Sequence, residues 1–308
     1  VARLLLIRPG VTAPRQIIPN TTYLVTRRCS ERRMFLRPSD AINELVLYIL
    51  AVSVERFGIL LHAYCFMSNH VHLVLTDPRG VLPAFEQYLG SLIARACNAL
   101  VGHRESFWDP GSYNAVTLVQ PGDVEDKIAY ALANPISAGL VQEGAQWPGL
   151  CSSLEGIGGP AVVVRRPEHF FRKDGSMPAS ASLALAVPPN VESLPATREA
   201  IRRELVKLQT EAIEKLASEG RTFLGAQRVL TQDRFAAPAG EEPRRRIEPR
   251  IACRDRGRRM EALARLKAFL AAYRETWQEF VGGVRDAVFP HGTYWMRVAY
   301  GLPCAPAG

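Results

Sequence analysis

Two histidines one residue apart, His70 and His72, stand at the head of the apolar run MSNHVHLVL, residues 67–75. In an extended strand side chains alternate between faces, so His70, His72 and Val74 share one side while Val71, Leu73 and Leu75 share the other. Successive same-side residues lie roughly 6–7 Å apart, close enough for two neutral ring nitrogens to meet at one cation. A second group of interest is IAYALANP, in which Tyr130 and Asn134 lie one helical turn apart on one face. A phenolate can attack phosphorus directly. Pro135 cannot donate to a helix and disfavours an α conformation in the residue before it, which predicts a kink or restart at Asn134 and an amide free to reach a metal. An amide oxygen beside two imidazoles leaves positions for phosphate oxygens and suits Mg²⁺ or Mn²⁺. The bland alternative is a pair of half-exposed strand histidines and a Tyr130 that packs on a sheet like any helix aromatic.

Several elements must position these groups. TTYLVTRR (residues 21–28) reads as a strand, and Ser39 and Asp40 offer caps for AINELVLYILAVSVERFG, which stops at Gly58. ILLHAYCFM and HVHLVLTD read as two strands joined by a Ser-Asn turn. LPAFEQYLGSLIARACNALVG is an amphipathic helix ending at Gly102, SYNAVTLV a further strand, and Asp123 a cap for VEDKIAYALANPISAGLV. This order predicts an α+β fold, an antiparallel sheet with helices packed on one face, followed by a mainly helical C-terminal region. Residues 1–150 form the expected first domain. The Gly-, Pro-, Ala- and Ser-rich stretch 151–195 reads as a linker or crossover, and 196–308 as a basic helical extension. Within that extension FLGAQRVLTQ offers either a helix-turn-helix reader or a plain helical hairpin.

The chain has 308 residues and a net charge of +8. Residues 1–150 carry 13 Lys+Arg against 12 Asp+Glu and the remainder 25 against 18, so nearly all the excess lies in the second half. Only five of the 38 basic residues are lysines, so the positive charge is mostly guanidinium, whose planar fork matches phosphate. Nucleic acid is the expected partner. Two clusters stand out: Arg27, Arg28, Arg32, Arg33 and Arg37, and the later run holding Arg244, Arg245, Arg246 and Arg250. Their density predicts a DNA affinity that falls steeply with salt. No apolar run reaches the roughly 18 residues of a membrane span, and the start VARLLLIRPG has too short an apolar part for a secretion signal, so a cytoplasmic, nucleoid-associated protein is expected. The six cysteines contain no CxxC pair and are expected to be reduced.

MSNHVH with its apolar strand, taken with YALANPISAGLV some sixty residues on, resembles the IS200-like single-tyrosine transposases, and among them the REP-associated type. That family's His-hydrophobic-His motif is matched by His70-Val71-His72, and its Tyr-x-x-x-Asn-Pro-x-x-x-Gly segment by Tyr130, Asn134, Pro135 and Gly139. FWDPGSYNAV is similar to the aromatic stretch ahead of the family's tyrosine helix, and the likeness spans residues 12–155. The resemblance implies an HUH, ferredoxin-like core that cuts and rejoins single-stranded or hairpin DNA through a 5′-phosphotyrosine link. Tyr130 would be the nucleophile, with His70, His72 and Asn134 as ligands of Mg²⁺ or Mn²⁺. It leaves open a monomer or a homodimer. The rival expectations are a catalytically retired DNA-hairpin-binding protein, a replication-initiator or relaxase nuclease, and a helical adaptor with an incidental His pair.

Overall fold

The computed structural model describes residues 14–110, 113–168, 170–237 and 250–306, which fall into two compact units: Pro19–Arg256, and a smaller one in which residues 14–18 join 257–306. In chain order the larger unit holds β1 (Thr21–Arg28), α1 (Asp40–Phe57), β2 (Leu60–Phe66), β3 (His70–Asp77), α2 (Leu82–Val101), β4 (Asn114–Leu118) and α3 (Pro121–Ser137). These are followed by β5 (Val162–Arg165), β6 (Ser180–Leu183), α4 (Leu194–Ser218), α5 (Ala226–Thr231) and β7 (Ile251–Ala252).

Local chemistry sets the element ends. Ser39 caps α1 by accepting from Ile42 N–H at 3.4 Å, and Gly58 closes it in the left-handed region at φ +61°. Gly102 ends α2 in the same way at φ +69°. At α3 the cap is Gln120 rather than the expected Asp123. Asp123 instead sits three residues in and accepts from the Gln120 N–H at 2.9 Å, the second half of a capping box. Of the expected kink or restart at Asn134, no restart occurs, for α3 runs on to Ser137 with Pro135 inside it. Pro135 lies in the last turn, where a lost donor costs one intrahelical bond rather than a ladder of them.

The sheet order is β2-β3-β1-β4-β7. β1 lies antiparallel between β3 and β4, with Thr26 opposite His72 and Arg28 opposite His70, and β2 pairs antiparallel with the other edge of β3. The two-residue β7 is parallel to β4, which makes the sheet mixed. The α+β class is as expected, but helices cover both faces rather than one. Tyr23, Val25, Leu73 and Leu75 pack with Leu45 and Ile49 of α1 and Phe85 and Ile93 of α2. Leu24, Ala63, Val74 and Val116 pack with Ile128 and Leu132 of α3 and Ile201 of α4. Each such buried aliphatic side chain contributes about 2 kcal/mol, so both layers are tied firmly to the sheet.

Residues 151–195, expected as a linker, build structure. β5 and β6 form an antiparallel pair whose inner residues Val164, Ala181 and Leu183 join the α1 and α2 core. The segment 196–237 is no detached extension either. Leu224 and Gly225 N–H donate to Gly139 and Leu140 O at 2.9 and 2.8 Å, and Val229 of α5 packs with Ile136 and Met67. FLGAQRVLTQ forms α5, a six-residue helix seated on the turn after α3, with Val229 in one core with Ala212 of α4.

The smaller unit holds most of α6 (Arg256–Val281) and α7 (Trp295–Tyr300). Phe289, Met296, Leu302 and Ala287 form its core, with Tyr273, Trp277 and Phe280 of α6 packed against them. Gln16 bridges Thr293 and donates its side-chain N–H to His291 O at 3.1 Å, so the chain start closes onto the chain end. Among the described residues no helix is long and apolar enough to cross a membrane.

Candidate active site

The pleat predicted from MSNHVHLVL is the one adopted, with His70, His72 and Val74 on the face that α3 covers. Residue register then places a polar row beneath α3, in which Cys65 of β2, His72 of β3, Thr26 of β1 and Asn114 of β4 follow one another across four strands. The ring centroids of His70 and His72 lie 4.8 Å apart at 88°. His72 is 4 % exposed, and its Nδ1 lies 3.0 Å from the Thr26 hydroxyl. His70 Nδ1 donates to Asn69 Oδ1 at 2.7 Å, which fixes its tautomer and leaves Nε2 with a lone pair.

α3 brings Tyr130 and Asn134 over this pair. The Tyr130 ring stands 5.3 Å from that of His72 at 84°, and Tyr130 is 38 % exposed, so it is open to a large substrate. Asn134 is buried, donates to Tyr130 O at 3.2 Å and is near enough to His72 to act on its ring. Burial holds the His72 imidazole well below its usual pKa. His70 and the Arg28 guanidinium push it further down, while Asn134 opposes them. Neutral imidazole is the form that binds a metal. Lys127 Nζ lies 5.5 Å from the Tyr130 ring centroid, one turn earlier on α3.

The donor set fits a divalent cation. Two imidazoles with their Nδ1 atoms held by Thr26 and Asn69 have the outer support that metal-binding histidines usually carry. Among the described residues no three His, Cys, Asp or Glu side chains converge, so a third protein donor has to be of another type, and the amide of Asn134 is beside His72.

No protein-family model and no curated protein matches the chain. Two of the solved structures similar to it are described as transposases. One is a REP-associated tyrosine transposase bound to a REP hairpin, with 15% identity and a TM-score of 0.41, covering 47% of this chain and 84% of that one. Another is a Deinococcus radiodurans protein assigned to the transposases, with 23% identity and a TM-score of 0.28, covering 36% of this chain and 88% of that one.

The arginines expected to bind DNA separate by environment. Strand alternation puts Arg28 on the His70 face at the exposed end of β1 and Arg27 on the opposite face. Arg27 donates to Glu86 O at 3.2 Å and lies 5.0 Å over the Trp108 ring, a structural position. Arg33 pairs with Glu31 at 2.6 Å, and the Arg32 carbonyl accepts from Asn69 at 3.0 Å. Arg37 donates to Gln232 O at 2.7 Å, so it holds the segment after α5. The Arg250 carbonyl accepts from Thr117 N–H at 2.8 Å beside β7. Arg244, Arg245 and Arg246 lie outside the described residues. Sequence reasoning did not single out Thr26, Asn69 or Asn114. The first two are visible only through register and the hairpin turn, and strand alternation alone carries no signal for either.

Proposed function

We propose that the chain cleaves and rejoins single-stranded DNA through a covalent phosphotyrosine on Tyr130. The observation that carries this is the perpendicular contact between Tyr130 and His72, which joins a half-exposed nucleophile on a helix to an anchored imidazole pair on a strand. Tyr130 Oη attacks the scissile phosphorus, the Oη–P bond forms and the bond to the 3′ oxygen breaks. The phenol proton ends on the departing 3′-hydroxyl, and the 5′ phosphate stays on the enzyme. A second strand's 3′-hydroxyl reverses the step, so neither water nor a nucleotide cofactor enters. His70, His72 and Asn134 would hold Mg²⁺ or Mn²⁺, which when bound supplies Lewis acidity at a non-bridging phosphate oxygen. Arg28, opposite His70 at the exposed end of β1, neutralises and orients the same phosphate. The sequence resemblance extends the proposal to hairpin DNA of the REP kind as substrate.

Incubation of the protein with single-stranded hairpin oligonucleotides and Mn²⁺ tests it. A denaturation-resistant protein–DNA adduct is expected from the native chain and none from Tyr130→Phe. An adduct that survives Tyr130→Phe would refute the role of Tyr130, and hairpin binding with no adduct from the native chain would favour a retired binding protein.

A further inference from the structure

Cys65 in β2 and Cys151 form an isolated antiparallel bridge at the sheet edge. Phe66 N–H donates to Leu150 O and Ser152 N–H to Tyr64 O, both at 2.8 Å. Hydrogen bonds that flank the two residues, with none exchanged between them, mark the narrow kind of antiparallel pair. There Cα atoms lie about 4.5 Å apart and side chains leave on the same side. That separation falls within the roughly 4.4–6.8 Å that a disulfide spans. Both thiols are free, with Cys65 fully buried and Cys151 half-buried. The backbone pairing sets both thiols on one side of the sheet edge, where the Cys65 thiol is held by donating to Met67 Sδ at 3.7 Å. Cys29 and Cys97, which also interact, are both fully buried and out of reach of an oxidant.

We propose that Cys65 and Cys151 are a thiol–disulfide site that takes a peroxide as oxidant. The half-exposed Cys151 reacts first, its thiolate attacking a peroxide oxygen so that the O–O bond breaks and the sulfur becomes a sulfenic acid. Cys65 sulfur then attacks Cys151 sulfur, the S–S bond forms, the S–O bond breaks and water leaves with the Cys65 proton. In sum two thiols and one hydrogen peroxide give one disulfide and two waters. In a reducing cytosol such a bond is transient, which suits a switch rather than a staple. Its position gives it a target: Cys65 lies directly opposite His72 across β2 and β3, and both cysteines pack on the cluster that includes Ile136 of α3. This inference stands on the fold alone and does not depend on the proposed DNA chemistry.

The test treats the full-length native protein with stoichiometric hydrogen peroxide, then maps peptides without reduction. A Cys65–Cys151 cross-linked peptide is expected, with the loss of two hydrogens in the intact mass and recovery by dithiothreitol. Cys151→Ser, a change at a half-exposed position, should abolish the link and leave Cys65 as a free thiol. Cys65→Ser should leave Cys151 as a sulfenic acid that dimedone labels. A link between any other pair of cysteines, or Cys151 advancing to sulfinic acid in the native protein while Cys65 stays a thiol, would overturn the proposal.

Discussion

The pleat of β1 turns the Arg27 guanidinium toward α2 and Trp108 and leaves Arg28 beside His70, so one residue of separation divides a cation packed on an indole from one beside the histidine pair. On the proposed function, Arg28→Ala removes a charge-assisted contact to phosphate, worth about 1.5–3 kcal/mol, and should slow adduct formation by about 10- to 100-fold with the urea midpoint unchanged. Arg27→Ala should do the reverse. It strips a stacked cation from beside the buried Glu86 and should cost roughly 2–4 kcal/mol in urea unfolding. Equal effects of the two on cleavage would remove the distinction. His62 supplies a pH dependence. The His62 ring, fully buried, donates from Nδ1 to Ala186 O at 2.9 Å and accepts at Nε2 from the Thr76 hydroxyl at 2.8 Å. Burial lowers the pKa from 6.5 to about 4. Between those values the unfolded chain binds the extra proton, so the stability it contributes is complete above pH 6.5 and is lost as pH falls toward 4, by about 3 kcal/mol. Urea midpoints measured at pH 7.5 and 4.5 should fall less for His62→Gln than for the native chain. At this scale the sequence displays the candidate site residues, His70, His72, Tyr130 and Asn134, through their periodicity. It hides Thr26 and Asn69, because a hydroxyl or amide gains its role only from the strand or turn placed next to it.

At the scale of elements, α3 is the carrier of the site, and its end is where the motif glycine gains a physical meaning. The helix stops at Ser137, Ala138 caps it and Gly139 takes φ +70°, a left-handed turn that a side chain would strain. A Cβ there would also meet Leu216 Cδ2 of α4 at 3.2 Å, while the Gly139 carbonyl accepts from Leu224 N–H. Gly139→Ala should therefore cost about 1–3 kcal/mol, read as a lower urea midpoint with an unchanged slope, since the native and unfolded surfaces stay the same. A neutral result would mean that the turn tolerates the left-handed conformation without glycine. The helix ends were legible, because Ser39, Gly58 and Gly102 act on their own neighbours. The course of α3 through Pro135 was not, since Ile136 beyond it is fully buried by residues distant in sequence, among them Val229 of α5. Nor does the amphipathic period of α4 say that Ile201 meets Ile128 and Leu132, because a period fixes which face is apolar and leaves the partner open.

For the whole molecule, the sequence suggested a first domain over 1–150, a linker or crossover and a basic helical extension, whereas packing groups residues 19–256 together. The Gly- and Pro-rich stretch reads as a linker because its turns are frequent, yet Val164, Ala181 and Leu183 bury themselves on the α1 side. α4 closes the second layer through Ile201, and Arg234 clasps the start of α1 by donating to Arg37 O at 2.8 Å and to the Ser39 hydroxyl at 3.3 Å. Further along, Arg254 N–H donates to Asp123 at 2.7 Å and its guanidinium pairs with Asp126, so the chain returns to the first turn of α3 before entering α6. Residues 19–150 alone therefore lack one wall of the histidine face. A fragment of residues 19–256 should give a single cooperative urea transition and native-like near-ultraviolet circular dichroism. A fragment of 19–150 should give neither, because Val124, Ile128 and Leu132 would lose Ile201, and Met67 would lose Val229. If the shorter fragment instead unfolds cooperatively and still yields the Tyr130 adduct, α4 and α5 are dispensable to the site, and the division suggested by composition describes the working protein better than the packing does.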